Sequence, residues 1–254
     1  MKIASCSCGK DSLAMVYKSI DTGKLEEGDE IVFFSNGMDF KCIYGLWKEL
    51  KEYAESKGIK CVQLKPRNDF LYDMLIRPKT KRNGEQACGD GWCGGNCRWG
   101  TFQKKEILDK YCKNALVYIG LAAEETKRIK KLEPNKYSPL VEWKMTEADC
   151  LEYCRNRGIK WLEWSERIND YVDLYDILDR VSCWCCRNKN QWELYNIWYY
   201  FPNTYWKQLL ELQSKINSPF RQPNKDGKYG FTLFELQEKF ESGYVPKRRK
   251  KIIK

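Results

Sequence analysis

The sequence contains no histidine in its 254 residues, and that absence excludes several kinds of chemistry. Ser-His and Cys-His nucleophilic machinery is ruled out, as are metal sites built on imidazole ligands. Any metal must therefore be held mainly by thiolates, which favours zinc or an iron–sulfur cluster. Thiols are plentiful, because the chain has 13 cysteines.

Long apolar runs are also missing from the sequence. No run of apolar residues has the length needed to cross a bilayer, and the chain opens directly into a predicted strand. We therefore expect neither a signal peptide nor a membrane anchor, and predict a cytoplasmic protein with no membrane partner. Without a secretory signal, this many cysteines indicate metal or redox chemistry rather than a disulfide scaffold.

The charge balance is basic, with a formal net charge of +10, part of which comes from the tail 247–254. A basic balance favours anionic partners and is compatible with a nucleic-acid acceptor. A plainly solvated tail would carry the same charges without any partner. Nothing in the sequence resembles a base-reading module, and the sequence leaves the oligomeric state open.

The opening residues predict a phosphate-binding corner. An apolar run, Ile3–Ser5, indicates a buried strand, and the turn that follows, Ser7–Ser12, leads into a helix. Backbone N–H groups and the positive end of the helix dipole converge at such a corner. Gly9 permits close approach of the backbone, Lys10 adds a positive charge, and the two serines of the turn add hydroxyl donors.

This turn, Ser7-Cys8-Gly9-Lys10-Asp11-Ser12, resembles the PP-loop, S-G-G-x-D-S, of the adenine nucleotide alpha-hydrolase superfamily, with Cys8 in place of the first glycine. That superfamily includes ATP pyrophosphatases, sulfurtransferases and APS/PAPS reductases. The resemblance implies an adenine nucleotide (ATP, APS or PAPS) together with Mg²⁺, and catalytic roles for Lys10, Asp11 and Ser12. The nucleotide contacts it implies along this stretch are Ser5, Ser7, Cys8, Gly9, Lys10, Asp11 and Ser12.

Two later segments are similar to further motifs of the superfamily. Phe34–Asp39 is similar to a strand running into D-T-G-x-E/D, which implies that Asn36 and Asp39 lie on the adenosine side of the site. A plain strand-to-helix turn explains this segment equally well. The second segment is similar to G-x-R-x-x-E-S-x-x-R but has alanine where the motif has its first arginine. Its implied nucleotide contacts are Gly120, Glu125 and Arg128, although a solvated basic helix is the alternative.

The segment 137–149 most resembles the PAPS-reductase branch, because a Pro-Leu pair, Trp143 and a T-x-x-D sequence occur there in order. Farther along, Tyr175, Arg180 and the pair Cys183 and Cys186 are similar to the branch's L-Y-x-x-G-F-x-R-x-G-C-x-x-C segment. The chain is thereby identified as an APS/PAPS-reductase-like member of the superfamily.

The pattern of elements predicts an α/β fold. Strand, helix and strand alternate at the pitch of right-handed crossovers, which indicates a parallel sheet flanked by helices, followed by a C-terminal helical extension. Regular periodicity disappears from Arg77 to Gly100. We predict a nucleotide-binding domain over 1–187 with a cysteine-rich insert at 77–100, a helical cap over 188–246 and a basic tail over 247–254.

The cysteines of the insert and those near residue 185 form two groups that together supply enough thiolates for a metal site. APS reductases carry a similar split arrangement around a 4Fe–4S cluster, so the resemblance implies the ligand set Cys93, Cys97, Cys183 and Cys186. Cys88 and Cys185 are reserves for the same site. The spacing does not separate a 4Fe–4S cluster from Zn²⁺, and reduced core cysteines remain an alternative.

Three functions are compatible with these observations. The first is ATP-dependent adenylylation of an unknown acceptor followed by sulfur transfer, with the cluster handling sulfur. The second is reduction of APS or PAPS, but the usual reductase tail, E-C-G-L-H, does not occur, so Cys88 or Cys185 would have to replace its cysteine. The third is a regulatory protein that binds a nucleotide without turnover. The basic charge and the missing reductase tail favour the first.

Overall fold

The computed structural model describes residues 1–92, 97, 103–224, 226–227 and 229–248. The chain divides into two compact units. Unit 1 comprises residues 1–67 and 100–161, and unit 2 comprises 68–99 and 162–254. The segment 162–187, which the sequence analysis assigns to the nucleotide-binding domain, therefore lies in the second compact unit.

The described regular elements alternate through both units. The strands are β1 (Lys2–Cys6), β2 (Glu30–Phe34), β3 (Lys60–Leu64), β4 (Pro78–Thr80), β5 (Gln86–Cys88), β6 (Leu116–Ile119), β7 (Lys136–Tyr137), β8 (Leu162–Ser165) and β9 (Asp170–Asp173). The helices are α1 (Lys10–Asp21), α2 (Lys41–Glu55), α3 (Lys104–Tyr111), α4 (Thr126–Ile129), α5 (Pro139–Glu142), α6 (Glu147–Asn156), α7 (Leu174–Ile177), α8 (Gln191–Tyr200), α9 (Lys207–Lys215) and α10 (Leu233–Glu241). Single π-helical turns occur at Tyr72–Ile76 and Pro202–Trp206.

Unit 1 contains a five-stranded sheet in the order β3-β2-β1-β6-β7. Every neighbouring pair in this sheet is parallel, which confirms the predicted α/β class. After β1, the next strands β2 and β3 are added on one side of it, and the later strands β6 and β7 are added on its other side. The strand order therefore reverses between β1 and β6, and ligands of open parallel sheets bind beyond the carboxyl ends of the strands at such a point.

Both faces of this sheet are covered by helices. On one face Ile3, Val32 and Val117 form a buried cluster with Cys112, which follows α3. On the other face the ring of Phe33 packs 5.1 Å from that of Trp47 on α2. Side chains of a strand alternate between faces, so Phe33 and its neighbour Val32 contact opposite helical layers.

Unit 2 contains two antiparallel hairpins and the C-terminal helices. Regular periodicity is absent from the sequence over 77–100, but β4 and β5 pair in the described part of that segment. After α6, β8 pairs with β9. The predicted C-terminal helical extension is present as α8, α9 and α10, and α10 begins with a capping box at Thr232. Their core is aromatic, with Phe240 in ring contact with Tyr195 and Trp206. Over the described ranges, no helix combines the length and apolarity that a membrane span needs.

Candidate functional site

The predicted phosphate corner is present between β1 and α1. Gly9 is the N-cap of α1, and because it has no side chain it makes no capping hydrogen bond to the N–H groups of the first turn. The first-turn N–H groups of a helix lack intrahelical acceptors, so they and the helix dipole favour an anion at this position. Cys8, the residue that replaces glycine in the PP-loop resemblance, has φ = 55°, which places a non-glycine residue in the left-handed region.

Two serines fix the shape of the loop. The backbone N–H of Ser7 donates to Ser12 Oγ at 3.1 Å, and the two hydroxyl oxygens lie 3.2 Å apart. Ser12 Oγ in turn donates to the carbonyl oxygen of Gly9 at 3.0 Å. The loop is therefore closed on itself, and Ser12 ties its two ends together.

Contacts from other elements of unit 1 hold the loop in place. The indole Nε1–H of Trp161 donates to the carbonyl oxygen of Cys8 at 2.7 Å, and Cys154 Sγ donates to the carbonyl oxygen of Lys10 at 3.4 Å. Gly120 lies directly against the start of α1. A Cβ at Gly120 would lie 2.8 Å from both the Cα and the backbone nitrogen of Ser12, so only glycine permits this approach.

The side chains of Lys10 and Asp11 take part in a three-residue ion cluster. Lys10 Nζ lies 2.8 Å from Asp11 Oδ1 and 3.0 Å from Glu147 Oε2, the latter from the first turn of α6. Burial lowers the pKa of Lys10, but the two carboxylates outweigh it and leave the pKa raised. The pKa of Asp11 is raised, mainly by burial. The Lys10 ammonium is thus partly neutralised by carboxylates that a divalent cation would also attract.

A cavity of about 820 Å³ opens beside the loop. Ser5, Ser7, Ser12 and Gly120 line one part of it, at the point where the strand order reverses. The charged part of the lining is predominantly basic and comprises Lys104, Lys105, Lys113, Arg128, Lys131 and Lys136 against Asp109 and Glu133. The two acidic residues already pair with basic neighbours, Asp109 with Lys136 at 2.6 Å and Glu133 with Lys105 at 3.2 Å.

Three cations of this lining, Lys104, Lys113 and Lys131, have no ion pair among the described residues. They give the cavity a positive potential that suits a polyphosphate. Arg128, a predicted nucleotide contact, also lines the cavity and pairs with Glu125. Glu125 accepts a hydrogen bond from the backbone N–H of Ala122 at 3.2 Å, so it orients the arginine rather than lining the cavity itself.

The remaining predicted contacts lie in the turn after β2. Ser35 Oγ donates to Asp39 Oδ2 at 2.7 Å, and Asn36 Oδ1 accepts from the backbone N–H of Met38 at 3.0 Å. Burial raises the pKa of Asp39 against the opposing effects of Ser35 and Lys104. Neither Asn36 nor Asp39 is among the residues that line the cavity. Their contact with a nucleotide stays a prediction.

Unit 2 brings four cysteines to one small cavity. Cys97, Cys183, Cys185 and Cys186 line a space of about 40 Å³, together with the apolar side chains of Phe70, Met74 and Trp92. A tight turn contributes, since the backbone N–H of Cys186 donates to the carbonyl oxygen of Cys183 at 3.0 Å. The predicted ligand Cys93 lies outside the described residues. The reserve Cys88 is exposed on β5 and does not line the cavity.

The electrostatics of this cavity suit a cationic centre. Burial raises the pKa of the Cys185 thiol well above its ordinary value, and nearby Cys183, Cys186 and Cys97 raise it further. Several thiolates would repel one another here unless a metal compensated their charge. Among the described residues, no group of three or more Cys, Asp or Glu side chains is arranged so that it could hold a metal ion. The thiol donors and the apolar surroundings are nevertheless of the kind that thiolate-held metals have.

Sequence reasoning missed three residues of unit 1 that bear on this site. Glu147 forms an ion pair with Lys10. Lys104 is a basic residue that lines the cavity, and Trp161 donates a hydrogen bond to the carbonyl oxygen of Cys8 in the loop. Glu147 is part of the T-x-x-D sequence noted above. Its ion pair with Lys10 joins residues 137 positions apart, and no local sequence pattern indicates such a contact. Lys104 is one of many helix lysines, so only its position in the fold distinguishes it.

Comparisons with known proteins find similarity among solved structures. No protein-family model matches the sequence, and no curated protein is detectably similar to it. Among solved structures, the U34-tRNA thiolase NcsA from Methanococcus maripaludis, with its 4Fe–4S cluster, is similar with a TM-score of 0.41 and 16% sequence identity. The similarity covers 63% of this chain and 58% of that chain. At this level of similarity, no residue role is transferred.

Proposed function

We propose that the chain is a PP-loop enzyme that binds ATP with Mg²⁺ at the corner between β1 and α1, adenylylates an acceptor oxygen and exchanges that oxygen for sulfur. The geometry of this corner is the main support for the proposal. An uncapped helix start and the hydroxyls of Ser7 and Ser12 adjoin a cavity with a predominantly basic lining. Backbone N–H groups, a helix dipole and lysines are the groups that bind polyphosphates.

In the first step the acceptor oxygen attacks the α-phosphorus of ATP, the bond from that phosphorus to the bridging oxygen breaks, and pyrophosphate leaves. Negative charge grows on the leaving group, where the N–H groups at the start of α1 and the cavity lysines would stabilise it. In the second step a hydrosulfide-class donor attacks the activated carbon. A C–S bond forms, the C–O bond breaks, AMP leaves and the sulfur loses its proton to solvent.

Asp11 is the residue of the loop best suited to hold Mg²⁺. The ion prefers one or two carboxylates together with phosphate oxygens, and Asp11 shares the Lys10 ammonium with Glu147. A bound Mg²⁺ would replace that ammonium as the counter-charge of Asp11. Lys10 would then be available to the phosphates, as the PP-loop resemblance implies.

The cysteine cavity of unit 2 is proposed as the site of a thiolate-held 4Fe–4S cluster, with zinc as the alternative. Cys97, Cys183 and Cys186 would hold it with Cys93, and Cys185 is the reserve. A cluster bound there would supply iron for sulfur binding or electron transfer. The reductase alternative loses one candidate nucleophile, because Cys185 is buried and its pKa is raised, which keeps it a thiol.

Equilibrium binding of ATP with Mg²⁺ tests the nucleotide site. We expect Ser12→Ala and Lys104→Gln to weaken ATP binding about tenfold each, because each removes a polar contact to a charged ligand. Competition by APS and PAPS in the same assay identifies the preferred nucleotide. Release of pyrophosphate would then be assayed with a label on the γ-phosphate, because the α-phosphate stays with the acceptor and leaves later as AMP.

Two matched variants control this experiment. Ser19 lies on α1 with a buried hydroxyl that has no partner among the described residues, so Ser19→Ala should leave ATP binding unchanged. Lys110 lies on α3 but does not line the cavity, so Lys110→Gln should behave likewise. Equal affinities for all four variants, or no ATP binding by the wild type, would contradict the proposal.

A further inference from the structure

A second large cavity, which the proposed function does not use, lies in unit 2. This groove has a volume of about 770 Å³ and lies between the start of α8, the loop that closes at Phe231 and the segment that follows α10. Four of its lining residues are aromatic, namely Trp192, Tyr229, Phe231 and Tyr244. Aromatic rings at a wide groove provide surfaces on which flat ligands stack.

The polar part of the groove is positively charged. Arg221 and Lys247 line it, and none of the described residues that line it is acidic. The first turn of α8 also lines it, through Gln191 and Trp192. Asn190 caps only the N–H of Glu193, so the two earlier N–H groups remain at the positive end of the helix dipole. After Lys247 the sequence continues with Arg-Arg-Lys-Lys.

One rim of the groove is held in a fixed shape. The backbones of Arg221 and Phe231 exchange two hydrogen bonds, of 3.1 and 3.0 Å, which close the intervening loop at its base. A Cβ at Gly230 would lie 2.8 Å from the ring of Pro223, so the two sides of the loop touch. These contacts fix the position from which Tyr229 projects.

Tyr229 is an outlier in both conformation and exposure. Its φ is 65°, an unfavourable region for a bulky residue, and 80% of its surface is exposed. Burial of its ring therefore does not explain why the loop holds it there. Unfavourable backbone conformations with no packing reason are typical of positions that contact a ligand.

We infer that this groove binds single-stranded nucleic acid. Bases stack on Tyr229 and Tyr244, while Arg221, Lys247 and the start of α8 neutralise the phosphates. A proline-rich peptide would use the same rings but would leave these positive charges without a counter-charge, so the nucleic acid fits better. The inference does not rest on the proposed function, because every residue it uses lies in unit 2.

Fluorescence anisotropy with labelled single strands of RNA and DNA, each of about 12 nucleotides, tests the inference on the full chain. We expect Tyr229→Ala and Lys247→Gln to weaken binding about tenfold and about threefold, respectively. Affinity should fall with salt, and Lys247→Gln should make that dependence shallower. The matched controls are Tyr171→Ala, which removes another exposed tyrosine of unit 2, and Lys207→Gln on α9.

The outcomes separate this inference from the nucleotide site. If the wild type binds neither strand, or if Tyr229→Ala and Lys247→Gln bind as tightly as the two controls, the inference is wrong. Binding of a proline-rich peptide in place of both strands would also overturn it. ATP binding, measured on the same variants, should stay at the wild-type value, whereas Lys104→Gln should lower ATP affinity and leave strand binding unchanged.

Discussion

Cys8 stands where the PP-loop motif, which this turn resembles, has its first glycine. The motif has glycine at this position, and the structure gives the reason, because the backbone there has φ = 55°. The side chain is fully buried, and its sulfur lies 4.0 Å from that of Cys6. A small side chain therefore fits, but the left-handed backbone carries a conformational cost that glycine would avoid.

This strain predicts the order of stability of two variants. Cys8→Ala keeps the strain and loses the sulfur contact, whereas Cys8→Gly loses the same contact but relieves the strain. We expect Cys8→Gly to be more stable than Cys8→Ala by about 1 kcal/mol. Chemical denaturation of both reduced proteins measures the difference, and equal or reversed stabilities would show that the loop is not strained.

The raised pKa of Asp39 predicts how the stability of the protein depends on pH. Its pKa in the folded protein is raised above 3.8 by burial, so the folded state binds more protons than the unfolded state above that pH. Stability therefore falls as pH rises from 3.8 through the folded pKa. We expect Asp39→Asn to be stabilising at about pH 7 and nearly neutral at about pH 3, as measured by urea denaturation.

Asp149 provides a control of opposite sign. Hydrogen bonds from the backbone and side chain of Thr146 hold its pKa below 3.8, so its contribution is present above 3.8 and is lost as pH falls through the folded pKa. Asp149→Asn should therefore destabilise the protein at about pH 7 and have less effect at about pH 3. If both variants change stability in the same direction at neutral pH, burial of Asp39 is not the cause.

At the scale of elements, the contact between Gly120 and α1 determines whether the phosphate corner can form. Gly120→Ala would place a methyl group 2.8 Å from the backbone of Ser12. We expect this substitution to lower the free energy of unfolding by about 1–3 kcal/mol and to weaken ATP binding. Thermal or chemical denaturation measures the first effect and ATP titration the second.

Gly45 supplies the matched control for this substitution. It lies inside α2, where an added Cβ would meet no atom within 4 Å. Gly45→Ala should raise stability by about 0.5–1 kcal/mol, because alanine is the better helix former. If both substitutions have the same effect, the close packing of Gly120 on α1 is not what restricts that position.

The sequence predicted the long elements of unit 1 well and the short ones of unit 2 poorly. The sequence pattern predicts a strand over Lys60–Leu64, and β3 occurs at those residues. Thr146 and Asp149 predict an N-cap by their types and spacing, and the structure has a complete capping box there at the start of α6. These signals are local, since periodicity and capping act within a few residues. The hairpin of β4 and β5 has three residues in each strand, which is too few for alternation to appear.

For the whole molecule, the sequence correctly predicted the sheet but could not show how the compact units divide. Unit 2 is assembled from two separate segments of the chain, and no local pattern indicates that they fold together. Cysteines illustrate the same limit. Six cysteines outside the two groups fall in segments with the pattern of strands or helices, so we expect them to be buried as small apolar residues. Of these, Cys6, Cys112, Cys150 and Cys154 are buried, whereas Cys42 and Cys61 are half-buried. Burial depends on tertiary neighbours that composition does not specify.

The most consequential long-range prediction concerns Cys97 and Cys183, which lie far apart in the sequence. The structure brings both to the cavity that Cys185 and Cys186 also line. Each resides in a different segment of unit 2. The convergence of these thiols supports the proposed cluster. Such a cluster would distinguish this chain from an ordinary ATP-binding protein.

Anaerobic purification with quantification of iron, sulfide and zinc tests whether the four cysteines hold a cluster. We expect about four iron and four sulfide per chain with a broad absorbance near 400 nm, lost in Cys183→Ser and retained in Cys61→Ser, whose thiol lies in β3. Stoichiometric zinc without iron would contradict the cluster and leave ATP-dependent activation alone. The absence of both metals from the wild type would contradict the thiolate site altogether.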